Sequence, residues 1–182
     1  WLRRNGYDST LEYLSAMCSL VLSETDLYPH SNPGTMTRLE LESLKDTNVS
    51  MGLMLENVSP RLFEAGGPHE SAPSKRPSVR IRTIEIAGKQ KVAFTTGILI
   101  GIGETLKERV DSLLAIRELH RRYGHIQEVI VQNFRAKPNT AMSDVIEPST
   151  QDLLWTVAVS RIILGAKFNI QVPPNLNADD YP

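Results

Sequence analysis

The sequence has a single cysteine in 182 residues, Cys18. A lone thiol excludes an intrachain disulfide and any metal centre built from several cysteines within this stretch, and no residue here is expected to ligate a metal. Charge of one sign is also missing. Twenty basic residues stand against twenty-one acidic ones, a formal charge of −1. No global field therefore favours nucleic acid or an anionic membrane, and any ligand must be recognised locally. The apolar runs fall far short of the roughly 20 residues of a membrane span. Nothing resembles a secretory leader with a basic head and an apolar middle. The chain opens on Trp1 in place of Met and reads as a piece of a longer protein, expected in the cytoplasm or in an organelle of a eukaryotic host.

Strand and helix signals alternate along the chain. Ser9-x-x-Glu12 reads as a capping box, followed by Leu11, Leu14, Cys18, Val21 and Leu22 at helical spacing. Cys18 reads as a small buried hydrophobe. "YPHSNPG" is turn-rich, and Thr37-x-x-Glu40 opens a second helix. A strand is expected over 49–56, a loop over 66–78, then a helix capped by Ser78 and stopped by Gly88. The strand "FTTGILIGIGET" follows, then a helix opened by Thr105-x-x-Glu108, with Leu106, Val110, Leu113, Ile116 and Leu119 inward and Gly124 at its end. A strand at 128–134, a helix from Ser149 to Leu164 and a strand at 170–172 complete the series. Continuous apolar strands alternating with helices imply a parallel α/β sheet. Periodicity alone leaves open the choice between a doubly wound sheet and a barrel. A full barrel typically needs about 250 residues, so this chain supplies five to six units of one.

Alternation along a strand separates two faces. Phe94, Thr96, Ile98, Ile100 and Ile102 share one, and Thr95, Gly97, Leu99, Gly101 and Gly103 the other. The earlier strand divides into Met51, Leu53 and Leu55 against Gly52, Met54 and Glu56. Barrel interiors are normally filled by branched side chains. Glycines turned inward therefore suggest either room for a ligand or close strand packing. Gly101-Ile-Gly103-Glu-Thr-Leu106 fails the dinucleotide fingerprint, which wants a third small residue where Leu106 stands.

The run Gly97-x-Leu99-x-Gly101-x-x-Glu104 resembles the adenine-contact motif of the radical S-adenosylmethionine (SAM) enzymes. The stretches "TDLYPHSNPGTMT", "SMGLMLE", "GGPHESAPSKRPSVRIRTIEIAG", "FTTGILIGIGET", "YGHIQEVIVQNFRAKPNTAM" and "IQVPPNL" more narrowly resemble the family of 7,8-didemethyl-8-hydroxy-5-deazariboflavin (FO) synthases, from about Gly6 to Leu176. The resemblance implies the central and C-terminal part of a TIM-like radical SAM barrel, one domain over 1–182. The family's Cys-x-x-x-Cys-x-x-Cys motif is absent, so the ligands of the implied 4Fe–4S cluster lie outside this stretch, which alone is expected to be inactive. The implied activity is a SAM-dependent lyase step of coenzyme F420 and deazaflavin biosynthesis. It closes the deazaflavin ring of 5-amino-5-(4-hydroxybenzyl)-6-(D-ribitylimino)-5,6-dihydrouracil. An electron donor for the cluster and the tyrosine-coupling radical SAM half are the implied partners. Competing readings are that coupling step itself, a phosphate-binding barrel isomerase or aldolase, and a non-catalytic remnant.

For SAM, Glu56 suits the ammonium and Arg80 the carboxylate, which a guanidinium can fork onto. Gly97, Leu99 and Gly101 would wall the adenine. Glu104 is expected to orient the following helix. For the polar ribityl-uracil adduct, His30, Asn32, Thr95, Gln132 and Asn133 stand at predicted strand ends, and His69 lies in a loop able to close over the site. Arg135 or Lys137 would stand near the mouth, and His125 is assigned to structure. No residue is assigned the chemistry itself.

Overall fold

The computed structural model describes residues 1–176. Five strands, β1 (His30–Ser31), β2 (Ser50–Gly52), β3 (Phe94–Ile100), β4 (Ile126–Asn133) and β5 (Asn169–Gln171), form one sheet. Neighbours pair in chain order and every pairing is parallel. A doubly wound sheet reverses its strand order at a switch point, and this one does not. Right-handed crossovers between sequential parallel strands put every helix on the same side. The result is a stretch of barrel wall, with helices outside and the other face toward the axis.

The outer face carries the core. Met51, Leu53, Leu55, Phe94, Ile98, Ile100, Val129 and Val131 pack with Leu41 and Leu44 of α2 (Arg38–Lys45), Ile84 and Ala87 of α3 (Pro77–Lys89), Leu113 and Ile116 of α4 (Leu106–Tyr123) and Leu153 and Leu164 of α5 (Thr150–Leu164). The expected division of faces in β2 and β3 holds. α1 (Thr10–Glu24) buries Cys18 alone. That thiol lies among polar atoms, 3.6 Å from Ser31 Oγ and 3.7 Å from Asn48 Oδ1.

Several local expectations need correction. "YPHSNPG" contains β1, too short to show a period. The Ser9 box forms by half, because Glu12 takes the Asp8 N–H at 2.7 Å while Ser9 accepts from Glu12. Ser78 does not cap α3. Pro77 occupies the first helical position, where its missing N–H costs nothing. Gly88 does not stop α3 either: a Cβ there would lie 2.7 Å from Tyr123 and 2.9 Å from His125 Cε1, so glycine allows close packing within the helix. Leu106 is 49% exposed, and the inward face of α4 is instead entered by Arg109 and Ser112. The boxes at Thr37, Thr105 and Ser149 are complete. His125 is buried, with Nε2 2.9 Å from the Ile84 carbonyl.

Glu108 of the Thr105 box also accepts from Arg61 Nη2 at 2.7 Å and Ser59 Oγ at 2.5 Å. The Arg61 hydrogen bond outweighs burial and, with Ser59 and Thr105, brings this carboxyl from 4.5 down to about 2. A carboxyl held low in the folded state stabilises it above the unfolded pKa, and that contribution is lost as pH falls through the folded one. Stability is therefore expected to decline between about pH 4.5 and 2. Arg61→Ala should lower stability at pH 7 by the small amount of a solvent-screened pair, and far less at pH 2. Urea unfolding at both pH values checks the difference.

Candidate functional site

Above β3 the chain must turn into α4, and Glu104 makes the turn. Its carboxylate accepts from Gly101 N at 2.9 Å, Ile102 N at 2.9 Å and Arg109 Nε at 2.7 Å, and the side chain is fully buried. Glu104 orients its loop and helix, as expected, and both oxygens are spent there. Gly101 has φ 90°, and a Cβ on it would lie 2.8 Å from Pro148 Cγ.

Gly97 does not open onto a hollow. A Cβ there would fall inside 3.0 Å of the Ile130 carbonyl oxygen and 2.8 Å from Met54 Cε. The bare position lets β4 and Met54 approach, which is the packing reading of the glycine pattern. The open volume begins one layer higher, at Leu99.

That volume is a cleft of about 410 Å³ at the C-terminal ends of the strands. Its floor is Leu99, Gln132 and Asn133. One wall is the loop 60–76 through Pro68, His69, Ala72 and Lys75, and the other is the segment after β4 through Arg135 and Met142. Of the residues expected to meet the substrate, His69, Gln132 and Asn133 line it. His30 lies lower on the inner face, its Nδ1 2.7 Å from Ser50 Oγ, and Thr95 accepts from Gln127 Nε2 at 3.3 Å. Neither lines this cleft, nor does the exposed Asn32. Asn133 Nδ2 donates to the Leu176 carbonyl. Arg135 reaches the mouth but is engaged by Glu147 at 2.6 Å and by the Leu176 carbonyl. Lys137 lines the mouth and is exposed.

Glu56 lies beneath the loop wall. It ends the β2 segment with φ 64°, a left-handed conformation that costs a non-glycine residue about 1–3 kcal/mol. Two backbone bonds hold it there, its N–H to Gly97 O and its carbonyl from Leu99 N–H, both 3.0 Å. Its carboxylate meets three bases: Lys75 Nζ at 3.0 Å and His69 Nε2 at 3.2 Å on Oε2, and Arg80 Nη1 at 3.2 Å on Oε1. The His69 contact is short, but its alignment falls short of a hydrogen bond. Burial pushes the Glu56 carboxyl up, yet His69, Arg80 and Lys75 together hold it below the usual range.

Arg80 is buried behind Glu56, and burial lowers its pKa, partly offset by that carboxylate. Its Nε donates to the Ser74 carbonyl at 3.1 Å and its Nη1 to the Met54 carbonyl. The two-nitrogen fork expected from the sequence is therefore not presented, and among the described residues Nη2 is the nitrogen left without an acceptor. Lys75 had no signal beyond a basic run; the fold of the loop alone brings it to Glu56. Among the described residues no group of His, Cys, Asp and Glu could hold a metal ion. No described helix is long and apolar enough to cross a membrane.

No family model matches the chain. It is 55% identical over 179 residues to the 7,8-didemethyl-8-hydroxy-5-deazariboflavin synthase of Methanopyrus kandleri, covering 98% of this chain and 53% of that protein. It is 54% identical over 181 residues to the FO synthase of Mycobacterium tuberculosis, covering 99% of this chain and 21% of that one. The chain thus spans about half of one relative and a fifth of the other. Among solved structures it is similar to the FeFe-hydrogenase maturase HydG of Carboxydothermus hydrogenoformans. The TM-score is 0.70 at 22% identity, over 94% of this chain and 41% of that one. That likeness shows the fold alone, a partial α/β barrel.

Proposed function

We propose that this chain is the central and C-terminal part of a radical SAM lyase that forms 7,8-didemethyl-8-hydroxy-5-deazariboflavin by closing the ring of the ribityl-uracil adduct with loss of ammonia. The single observation that carries the proposal is identity of 50–55% to enzymes of that name along nearly the whole chain. The cleft at the strand ends, where barrel enzymes keep their chemistry, supports it.

The residues present do not fit a 4Fe–4S cluster, since one cysteine cannot supply three thiolates. Its ligands belong to the rest of the parent protein, and no step is assigned to it. They do fit the amino-acid end of SAM. Glu56 is an anion already holding an ammonium, that of Lys75, and the ligand's ammonium would take that place. Arg80 Nη2 is the donor available to a carboxylate. Leu99 and the Gly101 backbone would flank the adenine, while Gly97 acts by letting β4 close up behind them. When bound, SAM supplies the 5'-deoxyadenosyl radical that takes hydrogen from the substrate. His69, Gln132 and Asn133 would meet the adduct in the cleft, whose neutral amides suit a polar ring with a polyhydroxylated tail. His30 and Thr95 would act from below only on a ligand reaching deeper along the axis, and Asn32 from outside the cleft.

Glu56→Gln and Arg80→Ala, made in the cluster-bearing parent, should each weaken SAM binding about 10- to 100-fold, the worth of a charge-assisted hydrogen bond. Calorimetry with SAM measures it. Unchanged affinity in both variants removes these two assignments.

A further inference from the structure

We infer that His69 is the group that passes a proton to the small molecule in the cleft, with Glu56 as the carboxylate behind it. The inference rests on the deazaflavin-forming reading and supplies what that reading lacks, a residue for the proton needed when ammonia leaves.

The geometry singles out this side chain. The loop holds the His69 backbone from both directions, its N–H donating to the Leu62 carbonyl and its carbonyl accepting from Ala72 N, each at 3.0 Å. The ring packs against Phe63 with centroids 5.2 Å apart, and the side chain is 6% exposed. It nonetheless lines the cleft. One nitrogen, Nε2, faces Glu56 Oε2 at 3.2 Å, so the second ring nitrogen, Nδ1, is the one left to meet a ligand. A carboxylate 3.2 Å behind an imidazole stabilises the imidazolium by its charge.

The other polar groups of the cleft are poorer proton carriers. Gln132 and Asn133 are amides. Arg135 is a guanidinium engaged by Glu147 and a carbonyl, and such a group keeps its proton. Lys75 is tied to Glu56 with a side chain 35% exposed, and Lys137 is exposed at the mouth. No carboxylate or tyrosine lines the cleft among the described residues. Histidine is the side-chain type that exchanges its proton near neutrality.

In the step, the electron pair of the benzylic C–H bond next to the amine-bearing carbon becomes a carbon–carbon double bond, its proton passing to water, as the carbon–nitrogen bond breaks and its electron pair stays on the departing nitrogen. That nitrogen takes the proton of the His69 imidazolium, leaving a neutral imidazole and ammonia. No oxidant or reductant enters this transfer.

The test uses the cluster-bearing parent with SAM, reductant and the adduct. His69→Gln should bind SAM within about threefold of the unmodified protein and still release 5'-deoxyadenosine, while fluorescent deazaflavin formation falls about 100-fold or more, the usual worth of a general acid. His69→Gly should behave alike and recover product formation with added imidazole, which a purely structural histidine would not do. Deazaflavin formed by His69→Gln at the unmodified rate overturns the inference. So does parallel loss of SAM cleavage and product without imidazole rescue. An unmodified parent that cleaves SAM yet makes no deazaflavin overturns the underlying reading itself, and this inference with it.

Discussion

Glu104→Ala should lower the unfolding free energy by about 3–5 kcal/mol, the cost of breaking a buried ion pair from one side. The side chain is fully buried and that of its partner Arg109 is 7% exposed. Removing the carboxylate strands two donors in the β3–α4 turn, Gly101 N–H and Ile102 N–H, and leaves a buried guanidinium. Arg109 keeps Thr156 Oγ1 at 3.1 Å and Asp152 at 3.5 Å, which limits the loss without offsetting it. Breaking a buried pair from one side costs far more than replacing both partners. The double variant Glu104→Gln/Arg109→Met should therefore recover more than half of the loss. Urea unfolding of the two variants decides the matter, and a loss below about 1 kcal/mol in the single variant would mean that the pair is solvated.

Gly97→Ala should cost about 3 kcal/mol, at the upper end of the usual penalty for overpacking. The added methyl meets the carbonyl of Ile130, which is paired with Gly97 in the longest ladder of the sheet. Met54 Cε, the flexible end of a side chain, can move aside; a carbonyl in a parallel ladder cannot without parting β3 from β4. Gly103→Ala is the matched control. It has φ 95° and nothing within 4 Å of its Cβ, so it should cost about 1–2 kcal/mol of backbone strain alone. Thermal unfolding of both compares crowding with strain. An alanine tolerated at 97 would restore the hollow that the glycine pattern first suggested.

Much of the fold was legible because its signals are local. Thr37-x-x-Glu40 and Thr105-x-x-Glu108 are boxes whose donors and acceptors lie within one turn, and both form as read. Alternation placed Phe94, Thr96, Ile98 and Ile100 on the helix side, since side chains of a strand can point only two ways. The failures came where a neighbour distant in sequence decides the outcome. Gly88 reads as a stop signal but is a contact with Tyr123 and His125. Leu106 fits the apolar stripe, yet Arg109 entered the interior because Glu104 was there to meet it.

The candidate site divides along the same line. His69, Gln132 and Asn133 could be picked out as polar residues at strand ends or in a long loop, and they meet in the cleft. Lys75 could not, since a lysine in a basic run looks solvated until the loop folds back onto Glu56. His30 and Thr95 were placed on the correct face at the wrong height, because alternation specifies a side of the sheet and is blind to level along the barrel axis.

By itself the sequence determined the helices and the longer strands, the two faces of those strands and the carboxylate at the end of β2, all set by bonds and periods within a few residues. Tertiary structure alone decided the sequential order of the strands, the layer at which the interior opens, and the three bases gathered on Glu56. Those depend on backbone segments far apart in the chain coming within hydrogen-bonding distance, and no local pattern records which segment arrives.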